Sequence, residues 1–79
     1  MKLTVLTPEK RVFDGEATRV YLPGTQGAFT VLPHHAPLIS SLEKGLVSWQ
    51  TAEGIGQQAI EGGFVRVKDD NVEVCVELD

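Results

Sequence analysis

His34 and His35 are the first residues in this chain that could hold a metal ion, being two imidazoles side by side between prolines. Adjacent residues on an extended chain point apart, and no Asp, Glu or Cys stands at a ligand spacing beside them. They read instead as loop histidines, used for partner contact or backbone hydrogen bonding. Gly24-Thr25-Gln26-Gly27 has the glycines of a phosphate cradle. A P-loop also needs Lys-Ser or Lys-Thr and then a helix whose N-terminus faces the anion; residues 29–32 read as strand, so these glycines serve a connection between strands. Cys75 would need a lowered pKa and a nearby base to act as a nucleophile, and its place within a valine-rich strand favours a small buried thiol. Ser40, Ser41 and Ser48 lack any nucleophile-elbow setting, and Asp69-Asp70 fits a hairpin turn, where Asp bonds its own backbone. The residues give no catalytic group, no metal site and no cofactor.

The elements that carry these residues are strands. Apolar side chains recur at every second position, the spacing that gathers alternate residues on one face of a strand. Val72, Val74, Val76 and Leu78 share a face that should be buried, while Glu73, Cys75 and Glu77 share the other. Further strands are expected around Leu3 and Val5 and over residues 11–13, 17–22, 28–32, 38–42, 46–50, 55–60 and 64–68. Turns are expected at residues 7–10, 14–15, 23–27, 43–45, 52–54, 62–63 and 69–71, with Asp14-Gly15 the strongest tight-turn dipeptide. About eight to ten short strands point to an all-β sandwich or small closed barrel, the two ways such a chain hides its edges. Residues 1–79 read as one domain.

Composition narrows the partners. Seven Lys plus Arg oppose eleven Asp plus Glu, a net charge of −4, and the basic residues are scattered singly. Charge therefore argues against nucleic acid as a partner, since phosphate binding needs a concentrated positive footprint. No apolar run approaches the ~20 residues of a membrane helix, so a soluble, cytosolic chain is expected. One cysteine excludes an internal disulfide. At ~0.05–0.15 kcal/mol per residue the fold is only modestly stable, which suits a chain that gains from a permanent partner. Tyr21 lies opposite Val20 and Leu22 in its strand, and Trp49 opposes Leu46, so one of these aromatics belongs either to a docking face or to the packing between two layers.

Four segments in order carry a family resemblance: Val12-Phe13-Asp14-Gly15-Glu16-Ala17, Leu22-Pro23-Gly24-Thr25-Gln26-Gly27, Leu32-Pro33-His34-His35-Ala36-Pro37-Leu38 and Glu61-Gly62-Gly63-Phe64-Val65. Together they resemble the N-terminal domain of the epsilon subunit of F-type ATP synthases, with His-Ala-Pro-Leu the most specific piece. The resemblance implies a flattened two-sheet β-sandwich in a non-catalytic subunit of the central stalk. Such a rotor subunit sits against the gamma subunit, rests a loop on the c-ring, and links proton movement to ATP synthesis. It would meet the membrane only through the complex, at the cytoplasmic face of the bacterial cell membrane. Carried over by position, Gly24, Thr25, Gln26, Gly27 and Ala28 match the ring-facing loop, while Thr7, His35, Ala36, Pro37, Leu38 and Ser40 match segments near gamma.

This sequence departs from the family's pattern in three places. Ala28 stands where an acidic residue is frequent, which removes an ion pair to a basic ring loop. His34 stands where Gly or Asn is common. Many members continue into a two-helix hairpin that binds ATP or restrains hydrolysis, and this chain stops at Asp79, so no ATP-sensitive brake is expected from it. The alternative reading is a lipoyl or biotinyl carrier domain with Lys44 as the attachment site. Glu43 and Gly45 flank Lys44, whereas a carrier places Asp or Met before its lysine and Ala or Met after it.

Overall fold

The computed structural model describes residues 1–79 and contains only strands and their connections. In chain order these are β1 (Lys2–Leu6), β2 (Arg11–Glu16), β3 (Arg19–Leu22), β4 (Phe29–Val31), β5 (Leu38–Leu42), β6 (Gly45–Thr51), β7 (Gly54–Ile60), β8 (Gly62–Lys68) and β9 (Asn71–Glu77). They form two sheets, one ordered β2-β1-β9-β8-β5 and the other β4-β3-β6-β7. Their principal extents are 29 × 26 × 19 Å, a flattened slab. The expected β-sandwich is what is found.

Alternation does the work of assembling the layers. In the five-stranded sheet, Val65, Val74 and Val5 are register partners across β8, β9 and β1, and so are Val67, Val72 and Leu3. All six side chains are buried, as are Val20, Leu22, Val31, Val47 and Ile60 from the other sheet. Each such side chain stabilises by about 1.5–3 kcal/mol relative to exposure, so these rows hold the two layers together. Every ladder is antiparallel except β1 with β9, which is parallel and joins the first strand to the last. Trp49 is the inward aromatic: it is 6% exposed and its ring lies 5.1 Å from that of Phe13, across the gap between the sheets. Tyr21 faces outward, 45% exposed.

Two expected turns are strand instead. Asp14-Gly15 lies within β2, where Gly15 pairs with Leu3 and Asp14 with Thr4. A tight Asp-Gly turn requires that its two flanking strands pair with each other. β2 and β3 belong to different sheets, so the chain changes layer at Ala17 and Thr18, whose amides donate to the carbonyls of Met1 and Gln50. Gly62 and Gly63 likewise open β8, paired with Glu77 and Val76, and the bend falls on Glu61. Gly63 has φ 149° and a Cβ there would run into the Cys75 carbonyl, so the glycine answers to crowding against β9 rather than to a turn. Asp69 and Asp70, at φ 52° and 60°, make the two-residue hairpin between β8 and β9. That pairing of positive angles suits the right-handed twist of the flanking strands.

Candidate functional site

The residues singled out by the resemblance fall at two opposite ends of the slab. The loop of residues 23–28 joins β3 to β4, and its base is laced to β5. Gly24 bridges Leu42, the Thr25 amide donates to the Ser41 carbonyl at 3.1 Å, and the Glu43 amide donates to the Pro23 carbonyl at 2.9 Å. The hydroxyls of Thr25 and Ser41 lie 2.6 Å apart. With its base fixed, the loop presents Gln26, Gly27 and Ala28 to solvent. Thr7 is at this same end, because Leu6, Cys75, Phe64 and Ser41 are successive register partners. Its hydroxyl accepts the amides of Glu9 at 3.2 Å and Lys10 at 3.1 Å, forming the expected turn. Thr7 is 8% exposed, so it acts on the surface through the Pro8-Glu9 turn that it shapes.

The loop of residues 32–37 lies at the other end, a seven-residue strand's length of about 20 Å away. All six of its residues are exposed. His34 takes φ 64°, and its amide donates to Oδ1 of Asp70 at 2.8 Å. Nδ1 of His35 is 2.7 Å from the Ala36 carbonyl oxygen. The His34 hydrogen bond, with help from the nearby amino group of Met1, holds the Asp70 carboxyl below the usual carboxylate range, against the opposing pull of desolvation. Leu38 and Ser40 turn toward the interior side of edge strand β5 and are half-buried, whereas Ile39 and Ser41 point outward. Thus His35, Ala36 and Pro37 form one exposed group, and Thr7 stands apart from them.

The two outer faces differ in chemistry. On the five-stranded sheet, Lys2 Nζ is 3.0 Å from Asp14 and Arg66 is 2.6 Å from Glu73. The Lys2 hydrogen bond lowers the Asp14 carboxyl most, with Arg11 adding to it. Phe64 and Ile39 project among these charges, 52% and 75% exposed. In the four-stranded sheet Arg19 is the one charged residue in any strand, and Tyr21, Leu46 and Ile55 are exposed on its outer side. This face is poorer in charge than the other, and charge depletion with exposed aromatics is a feature that interface cores share. The exposed apolar side chains are thus divided between the two sheets, with Tyr21 on one outer face and Ile39 on the other.

The remaining chemical candidates lie apart from one another. No three His, Cys, Asp or Glu side chains converge as metal ligands. Cys75 is half-buried on the outer side of β9, not enclosed as expected, because β9 turns its valines inward. Burial pushes its thiol up, with Glu73 adding to the effect. Lys44 projects from the β5–β6 turn with Nζ 3.8 Å from Glu61. Two features escaped the sequence reading: the Asp70 contact to His34, and the sharing of one face by Tyr21, Leu46 and Ile55. Register between distant strands creates both, and alternation within a strand signals only that Tyr21 lies on the face opposite Val20 and Leu22.

Residues 1–78 match the family described as ATP synthase, Delta/Epsilon chain, beta-sandwich domain. The chain belongs to this family. Among curated relatives, the ATP synthase epsilon chain of Leptospira interrogans is 35% identical over 77 residues, covering 98% of this chain and 61% of its own length. That of Desulfitobacterium hafniense is 41% identical over 75 residues, covering 95% and 57%. The chain thus spans about three-fifths of the length of the curated relatives it matches. In fold, it is similar to a chain of the Tetrahymena thermophila mitochondrial ATP synthase central stalk and c-ring, with TM-score 0.81, 18% identity, and 96% and 62% coverage. A chain of the Euglena gracilis mitochondrial ATP synthase, in a structure of OSCP, F1 and c-ring, gives 0.85, 23%, 94% and 48%.

Proposed function

We propose that this chain is a non-catalytic rotor subunit of an F-type ATP synthase, linking the gamma subunit to the c-ring so that proton translocation and ATP synthesis stay coupled. The family match over nearly the whole chain carries the reading. The structure supports it physically: partner-facing loops stand at opposite ends of a stiff slab, which is the form a mechanical link requires. Gln26, Gly27 and Ala28 rest on the ring, supported from behind by Thr25 and Gly24. With Ala28 in place of an acid, this contact relies on packing and backbone hydrogen bonds. His35, Ala36 and Pro37 meet gamma, with Leu38 and Ser40 anchoring that loop to β5. The charge-poor face around Tyr21 gives a further apolar seat, because permanent interfaces are large and relatively apolar.

In this role the domain needs no reactive group, since rigidity and contact area transmit torque. The subunit lies at the cytoplasmic face of a bacterial membrane and reaches it only through the complex. Adding purified chain to a synthase depleted of its epsilon subunit tests the proposal. Restored binding to gamma and improved proton coupling are expected; no binding and no gain in coupling overturn it. The carrier alternative has no support in the family match, and the intact mass of purified protein checks it directly through a lipoyl or biotinyl adduct on Lys44.

A further inference from the structure

Three separate parts of the chain meet at Asp70. Its carbonyl accepts the Lys2 amide at 3.0 Å, which fixes the β8–β9 hairpin to the start of β1. Its Oδ2 lies 3.8 Å from the amino group of Met1, which also sits 3.3 Å from the Glu16 carboxylate and donates to the Ala17 carbonyl at 3.3 Å. Its Oδ1 takes the His34 amide. That last bond is the only hydrogen bond the structure gives to the backbone of residues 33–36 from another segment. His34 holds φ 64°, a conformation that a non-glycine residue adopts at some cost and keeps only when its surroundings impose it.

We propose that Asp70 is a positioning residue for the partner-facing loop: its carboxylate locks the left-handed turn at His34 and so fixes the direction in which His35, Ala36 and Pro37 are presented to gamma. The inference rests on the docking reading above. Pro33 and Pro37 stiffen the two sides of the loop, leaving His34 as the hinge whose state decides where the exposed group points. Without the latch the loop samples other conformations, and binding must then supply the ordering that Asp70 supplies in advance.

Two substitutions separate the latch from general stability. Asp70→Gly removes the acceptor but accepts the positive φ of that position without a Cβ, so the hairpin is retained. Asp70→Asn keeps an oxygen acceptor and tolerates the same φ, while losing the charge. Hydrogen exchange of the His34 amide and affinity for purified gamma subunit are measured for all three proteins, with melting temperature as a check on folding. In Asp70→Gly, exchange at His34 should rise roughly tenfold or more, the scale of one hydrogen bond to a charged group. Affinity for gamma should fall about tenfold through loop ordering, and Asp70→Asn should recover most of both. Unchanged exchange in Asp70→Gly, or raised exchange with undiminished affinity, overturns the role of Asp70. An unmodified chain that does not bind gamma overturns the docking reading, and the positioning role falls with it.

Discussion

A single methyl group at Gly56 tests how the two layers are joined. Gly56 on β7 is the register partner of Trp49 on β6, and a Cβ at this glycine would fall on the indole, against Nε1, Cε2 and Cζ2. The ring cannot simply move aside, because it is nearly enclosed and packs at a 40° tilt against Phe13. Forced overpacking costs about 1–3 kcal/mol, and loss of the aromatic pair adds about 0.5–1.5 kcal/mol. Against this, replacing Gly by Ala in a compatible backbone stabilises by about 0.4–1 kcal/mol through the unfolded state. Sterics should win, and Gly56→Ala should lose about 0.5–4 kcal/mol. Trp49 is the sole tryptophan, so urea denaturation followed by its fluorescence reports both the midpoint and the exposure of the ring. A lower midpoint and a red-shifted native emission are expected. Introduced into Trp49→Leu, Gly56→Ala should cost less than it does in the parent, because the clash is shared by the pair; circular dichroism reads that cycle, since the variant lacks the tryptophan. A Gly56→Ala protein more stable than the parent, with unshifted emission, would refute the reasoning.

Ile55→Glu should leave the melting temperature nearly unchanged, because exposed substitutions stay within about 0.5 kcal/mol, yet it should weaken association with a depleted synthase if the charge-poor face is a seat. Acid should destabilise the domain through Asp14 and Asp70: both carboxyls are depressed on folding, so their stabilisation is complete above the unfolded value of about 3.9 and fades as pH falls through the folded values. Equilibrium denaturation from pH 6 downward, compared with Asp14→Asn and Asp70→Asn, should show a shallower acid loss in each variant. Cys75 should react with iodoacetamide at pH 8 more slowly than a free cysteine, since its thiol is pushed up and little thiolate forms. Timed mass spectrometry reads that rate.

The fold was legible where one strand decides it. Val72, Val74 and Val76 announce their buried face by alternation alone, and the expected turns at Thr7 and at Asp69-Asp70 are present because side-chain bonding and positive φ are local properties. What the sequence hid depends on pairing. Asp14-Gly15 looks like a hairpin tip until β2 and β3 are known to lie in different sheets. Trp49 and Tyr21 both alternate with aliphatic neighbours, and only the second layer shows which one is covered. For the candidate site, the motif residues mark loops, but nothing in their spacing reveals that Thr7 and His35 are a strand's length apart. The Asp70 contact to His34 joins positions 36 residues apart in the chain, beyond the reach of any local pattern.

The parallel ladder between β1 and β9 also governs when this protein can become itself. Because β9 lies between β1 and β8, the larger sheet has a gap at its centre until residues 71–77 have left the ribosome. The opening strands must wait, unpaired along that border, for nearly the whole domain to be translated. Distant pairing of this kind makes folding slow relative to helical domains of equal size. During synthesis the nascent chain therefore exposes Leu3 and Val5 until β9 emerges, and chaperones that shield apolar segments have their longest opportunity at β1.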